Sequence, residues 1–380
     1  MTRFTAPTLL LTTLVLLLSA RDLARANADS GIMIQFDFSH DTTGFFDSPD
    51  RRVVLQLAAH TLTARLGDDL AAIVPNKRNT WSASFLNPPT GNMATVTNLV
   101  VPSNTLIVFV GARKLPGTQT GQGGPGGFSA SGRSSFLNTV AARGESGALR
   151  DAPTDFGPWG GSITFDQDTN WHFGTTANEL GFSEADFLTT ALHELGHVLG
   201  FGTAPSWTEL VVGEEFTGPA AIAEYDADGN VPLSPTLGHW IAGTTEEGAL
   251  SIMTPSTLSG TRTAFGKLDF AGLDDIGWDL IPAATFNLLA GDANNDNQVT
   301  GADLIIIQQN FGKVDLDIPT TGLFPGDAND DGQVTGADLI VVQQKFGDAL
   351  RPIGAEIPEP ASVCLLALSG LGAIARWHRI

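Results

Sequence analysis

Two histidines four residues apart, with an acid directly after the first, stand in the stretch Ala191–Gly202, A-L-H-E-L-G-H-V-L-G-F-G. On an α-helix, residues at i and i+4 lie on one face, so His193 and His197 can share one metal ion. Imidazole nitrogens at this spacing suit Zn²⁺, with bonds of about 2.0–2.1 Å. Glu194 flanks that face, where its carboxylate can take a proton from a water on the open position of the metal. Water on such a zinc has a pKa near ~7, which makes a nucleophile available at neutral pH for attack on a carbonyl.

A helix must hold this pair, and the surrounding residues specify one. Ser183 followed by Asp186 predicts a capping-box-like start. Leu188, Ala191, Leu192, Leu195, Val198 and Leu199 recur at helical spacing and predict the buried face. Gly196 lies mid-helix at a cost of about 1 kcal/mol against Ala, which predicts a close neighbour there. Gly200 suits a left-handed stop.

The string H-E-x-x-H-x-x-G resembles the metzincin metalloproteases. Their compact pattern has a third His three residues after the glycine, and that position here is Thr203. The chain downstream of Thr203 is similar to the leishmanolysin-like group instead: an insertion over 204–238, L-G-H-W at Leu237–Trp240, S-I-M-T-P at Ser251–Pro255, and a short helix within Leu268–Trp278. The resemblance implies an α+β zincin-like fold and one catalytic Zn²⁺ held by His193, His197 and His239. It also implies Met253 as an apolar floor, Glu194 as base and then proton donor, and a protein or peptide substrate. An edge strand upstream of the helix is expected to pair with the substrate, either Ser162–Phe165 or Leu106–Val110. Pro255 stands where some metzincins carry a tyrosine ligand, so that role is absent. Tyr225 is expected to pack instead of serving an oxyanion, and His40, His60 and His172 are read as structural. Two alternatives stay open: a non-catalytic adhesion module on the same fold, and a zinc hydrolase of a non-peptide substrate.

The chain has 380 residues and a formal net charge of −21, which argues against nucleic acid and for an extracellular surface or bound divalent cations. Residues 1–28 read as a secretory signal: Arg3, an apolar run Leu9–Leu18, and small residues for cleavage after Ala28 or Ala26. The single cysteine is Cys364, so the body has no disulfide and no thiol to keep a zinc latent. The strand-like run Ile32–Phe38 begins almost at the cleavage site, and no pro-segment is expected. Further elements are a helix over Asp50–Leu66 and strands at Met93–Thr97, Leu106–Val110 and Ser162–Phe165. Pro116–Ser135 reads as a Gly/Ser-rich loop without a core pattern. The protease unit is placed at 29–285.

A repeat then appears at a spacing of 35 residues, Gly291–Gly312 and Gly326–Gly347. Oxygen-bearing side chains at loop positions 1, 3, 5 and 12, with a carbonyl at 7, make a calcium loop. The ligands would be Asp292, Asn294, Asp296, Gln298 and Asp303, then Asp327, Asn329, Asp331, Gln333 and Asp338, for two Ca²⁺ in all. Ten Asp against two Lys between Asp292 and Asp348 would repel one another without cations. The apolar faces Leu304–Ile307 with Phe311 and Leu339–Val342 with Phe346 are expected to pack together. This loop-helix pair resembles a type I dockerin, placed at 286–352, a small all-α unit. The resemblance implies a cohesin-like partner, although Gly301-Ala302 and Gly336-Ala337 replace the usual recognition pair.

The segment 353–380 carries Pro358-Glu359-Pro360, an apolar run Ala361–Ala375, and Arg376 with Arg379. It resembles the PEP-CTERM sorting signal of diderm bacteria, with a permanent anchor as the alternative. The expected location is secreted or cell-surface attached, with membrane contact only through this tail before processing.

Overall fold

The computed structural model describes residues 31–174, 177 and 180–281, and in the C-terminal region 299, 301, 304, 307–308, 311, 328, 334 and 336–346. The expected signal, the sorting tail and most of the calcium loops lie outside the described residues.

The central sheet has β1 (Met33–Asp37), β4 (Thr105–Arg113), β7 (Gly160–Asp166) and β5 (Gly121–Pro125), in the spatial order β1-β4-β7-β5. The first three are parallel and β5 runs antiparallel to β7 at the edge. β4 reads T-L-I-V-F-V-G-A-R because both its faces are covered, as strands of parallel sheets usually are. Leu106, Val108, Val110 and Ala112 face one core, while Ile107 and Phe109 face another.

The first core lies between the sheet and two helices, α1 (Pro49–Thr63) and α3 (Phe187–Val198), which pack against each other. The second lies under a three-stranded antiparallel sheet, β3 (Met93–Thr97), β2 (Thr80–Leu86) and β6 (Gly127–Ser131), closed by α2 (Ser134–Ala142). Trp81, Phe85 and Trp159 fill it, with the Phe85 and Phe109 rings stacked at 4.0 Å.

The expectation of a loop over Pro116–Ser135 is overturned, because β5 and β6 both lie inside it. Their glycines remove the alternation that marks a strand, and they do so for steric reasons. At Gly126, where the chain passes from one sheet to the other, a Cβ would fall 1.9 Å from the Trp159 ring. The edge strand beside α3 is therefore β5, and neither Ser162–Phe165 nor Leu106–Val110, which are interior strands.

Two short parallel strands, β8 (Trp171–His172) and β9 (Ala185–Asp186), pair just before α3. After α3 the insertion folds as α4 (Pro205–Glu209), α5 (Pro219–Glu224) and a small sheet of β10 (Val211–Val212), β11 (Glu215–Phe216) and β12 (Val231–Pro232). Helix α6 (Lys267–Asp275) follows the Met253 turn. The chain then returns to the end of α1, where the Gly67 N–H bonds Asp279 O at 2.7 Å and the Ile281 N–H bonds Arg65 O at 2.9 Å.

In the repeat, Val299, Ile307, Ala328, Val334 and Val342 form a separate apolar cluster, with Leu304 and Leu339 against it. Val299 and Val334, like Ile307 and Val342, are equivalent positions 35 residues apart, so the two copies pack through matching residues. Phe311 and Phe346 do not join them; each is 57 % exposed. Helix α7 (Gly336–Lys345) carries Asp338, fully buried, whose carboxylate accepts the Ala328 N–H at 2.8 Å. The other nine expected calcium ligands lie outside the described residues.

Candidate metal centre

Helix α3 is buried at every residue, which fits its place between sheet and outer loops. Its N-cap is Asp186, not Ser183: Asp186 Oδ2 accepts the Thr189 N–H at 3.0 Å, and the chain up to Asp186 is extended as β9. Arg262 closes on the same carboxylate through Nη2 at 2.7 Å and Nε at 2.9 Å, and reaches Gly174 O. Gly196 has the close neighbours expected of it, since a Cβ there would stand 2.8 Å from Met253 Sδ and 3.0 Å from Phe265. The helix ends at Val198, and Gly200 turns the chain with φ 107°.

His193 and His197 project from this helix and meet His239. The three Nε2 atoms lie 3.2 Å (193–197), 3.2 Å (193–239) and 3.0 Å (197–239) apart. Among the described residues these are the one group of side chains able to hold a metal ion together. Backbone carbonyls take the other ring nitrogens: Ile252 O is 2.8 Å from His193 Nδ1 and Phe201 O is 2.9 Å from His197 Nδ1. With the ring protons at Nδ1, the Nε2 lone pairs of both point inward, as a metal ligand requires. His239 is partly exposed, and its Nδ1 is buried without a partner. Three Nε2 atoms about 2 Å from one tetrahedral ion would stand about 3.3 Å apart, so the donor set fits Zn²⁺. Burial and the mutual proximity of the rings keep them neutral: His193 is held well below its ordinary value and His239 is lowered to about 4.

His239 arrives by a turn at Leu237 (φ 61°) after the insertion, tied by the Ser234 N–H to His239 O at 2.9 Å. Its approach depends on Gly202, where a Cβ would lie 2.1 Å from Gly238 O. Thr203, at the third position of the compact pattern, donates its hydroxyl to His197 O at 2.8 Å and faces no other ligand. Met253 is fully buried, with its Sδ against Gly196 of α3.

Asp269 on α6 is the organiser that sequence reasoning missed. Its buried carboxylate accepts from the Trp240 indole (3.1 Å), the Ile252 and Gly266 N–H groups (3.2 and 3.0 Å) and the Ser251 hydroxyl. It thereby joins the residue after His239 to the turn that carries Ile252 and Met253. Its burial raises its pKa to about 6 against these hydrogen bonds.

Glu194 is 6 % exposed and accepts the Gly123 N–H from β5. Burial pushes its pKa up to about 8, and that hydrogen bond opposes the shift. Strand and helix are in contact only because β5 is G-Q-G-G-P. A Cβ at Gly121 would fall 2.5 Å from Glu194 Oε1, and one at Gly123 would fall 2.4 Å from Glu194 O. The glycine alternation at 121 and 123 was the available signal in the sequence.

The histidines and Glu194 open on a cleft of about 790 Å³, walled by the segment through β5 and by the loop after Met253. Tyr225 is half-buried against the core and does not line it. His40 packs edge-on to Phe85 and Phe109, His60 lies on α1, and His172 pairs with Glu184 at 3.6 Å, all apart from the cluster.

Comparison with known families gives two matches. A model described as matrixin matches residues 138–211, which takes in the second half of α2, all of β7 and α3, and ends before His239. A model described as dockerin type I domain matches residues 290–347. Searches of curated proteins and of solved structures returned no match. Among the described residues no helix is long and apolar enough to cross a membrane. The matches, with the mixed α+β fold and the three-histidine cluster, point to a matrixin-type metallopeptidase unit followed by a dockerin unit.

Proposed function

We propose that the chain is a secreted zinc endopeptidase, its protease unit at 29–285 followed by a dockerin at 286–352 that binds two Ca²⁺ for attachment or assembly. His193, His197 and His239 would hold one zinc, a leishmanolysin-like arrangement in which the third ligand comes after an insertion. The observation that carries this reading is the convergence of three Nε2 atoms within 3.2 Å beside the Glu194 carboxylate in one open cleft.

Zinc bound there supplies Lewis acidity that makes water a competent nucleophile near neutral pH. The remaining work belongs to the chain. Glu194 takes the proton from the attacking water and returns it to the leaving amine, which turns a poor leaving group into a good one. Its burial raises its affinity for that proton, and a nearby cation would draw its pKa back towards neutrality. The Gly123 backbone packs against Glu194 and limits where its carboxylate can move. β5, at the sheet edge, offers backbone groups with which an extended peptide can pair across the cleft. Export by residues 1–28 and sorting by 353–380 belong to the same proposal, as does a cohesin-like partner.

The test is cleavage of casein by the zinc-loaded chain, wild type beside Glu194→Ala. The variant is expected to keep its zinc and lose at least ~10²-fold in rate. Equal cleavage by both proteins contradicts the mechanism.

A further inference from the structure

The residues that wall the cleft have an unusual chemistry. Ligand pockets are lined mainly by apolar and aromatic side chains. Among the described residues here, no Leu, Ile, Val, Met, Phe, Tyr or Trp side chain lines the cleft, and no Lys, Arg or Asp. Besides the histidines and Glu194, the lining is Thr, Ser, Gln, Gly, Pro and Ala.

Several of these polar groups already serve the protein. Thr203 bonds His197 O, Thr236 bonds Ser234, and Gln122 Oε1 accepts from Arg113 at 2.7 Å. Six others have no such duty. Thr118, Gln119 and Thr120 lead into β5, and Ser256, Thr257 and Ser259 follow the Met253 turn. Their hydroxyl and amide groups bond to no other described residue, and Thr118, Gln119, Ser256 and Ser259 are exposed. Both segments that bound the cleft therefore present unengaged, neutral hydrogen-bonding groups.

We infer that the cleft selects polypeptide segments whose side chains flanking the scissile bond are uncharged and hydrogen-bonding: Ser, Thr, Asn and Gln. This rests on the endopeptidase reading and adds the substrate class to it. A large apolar side chain would strip water from these hydroxyls without replacing its hydrogen bonds, and it would find only proline, alanine and threonine carbons to pack on. A charged side chain would lose hydration and find no counter-ion on the two polar walls, since the one charged lining residue, Glu194, is engaged at the reaction centre, and an acidic one would also meet the repulsion of a chain at −21. Hydroxyls and amides both donate and accept, so they exchange water for protein partners on either wall. A site built on hydrogen bonds also rejects a side chain that lacks them more sharply than an apolar site rejects one methylene.

The experiment uses the full zinc-loaded chain and a peptide library in which every residue type is equally represented, with cut sites read by mass spectrometry. Ser, Thr, Asn and Gln should be enriched on both sides of the cut, and Leu, Phe, Lys, Arg, Asp and Glu depleted. The double variant Thr120→Leu with Thr257→Leu should move the kcat/KM ratio of matched Thr and Leu peptides towards Leu by about tenfold, mainly through KM. Cut sites dominated by apolar or charged residues, or an even distribution, overturn the inference and leave the endopeptidase standing. No cleavage of any peptide by a chain with zinc bound overturns both.

Discussion

Asp269 never touches the cleft, yet its carboxylate bonds the Trp240 indole beside His239 and the Ile252 N–H, whose own carbonyl meets His193. Two of the three histidines are thus placed through one buried acid. In Asp269→Asn an amide N–H would face some of these donors, leaving a buried group unsatisfied at a cost of about 1–3 kcal/mol. The variant is expected to unfold at lower urea concentration and to bind zinc ~10- to 100-fold more weakly, as substitutions behind metal ligands do. Denaturation and metal titration of the purified variant check this, and wild-type values in both would contradict it.

At the scale of elements, α3 and β5 decide whether Glu194 can work. Gly123→Ala places a methyl on the Glu194 backbone, so strand and helix must separate. Overpacking of this kind costs about 1–3 kcal/mol. Misplacement of the base by about 1 Å is expected to lower cleavage ~10²-fold, while zinc content stays at the wild-type level. Loss of zinc together with activity would mean that β5 supports the metal instead of the base. The helix was legible in the sequence, because its histidine spacing and its apolar positions agree. β4 was equally legible as a continuous apolar run, since both its faces are buried. His239 and Met253 were reachable through the order of motifs, and the structure brings both to the helix. β5 and β6 were not legible, because glycine erases the alternation of a strand and its reason here is a neighbour 71 residues downstream, at Glu194 from Gly123. Asp186 displaced Ser183 as cap because Arg262, from the loop after Met253, pairs with it. Asp269 lies between Leu268 and Phe270 with no local sign of the donors that converge on it.

Across the described residues of the molecule, two apolar cores support the cleft, and a third, separate cluster joins the repeats through equivalent valines and Ile307. That third cluster is small beside ten aspartates, so calcium is expected to supply much of its stability by neutralising them. Chelation of the full chain should reduce the helical circular dichroism signal, and added Ca²⁺ should restore it; Asp296→Ala with Asp331→Ala should abolish the restoration. An identical spectrum with and without chelator would contradict the calcium loops. The protease unit depends on a different ion, and the most direct measurement of its site is zinc stoichiometry by mass spectrometry of the chelated and zinc-reloaded chain. One zinc is expected in the wild type and in Thr203→Val, whose hydroxyl serves only a backbone carbonyl, and far less in His239→Ala. Full zinc occupancy in His239→Ala, or its loss in Thr203→Val alone, would contradict the three-histidine centre.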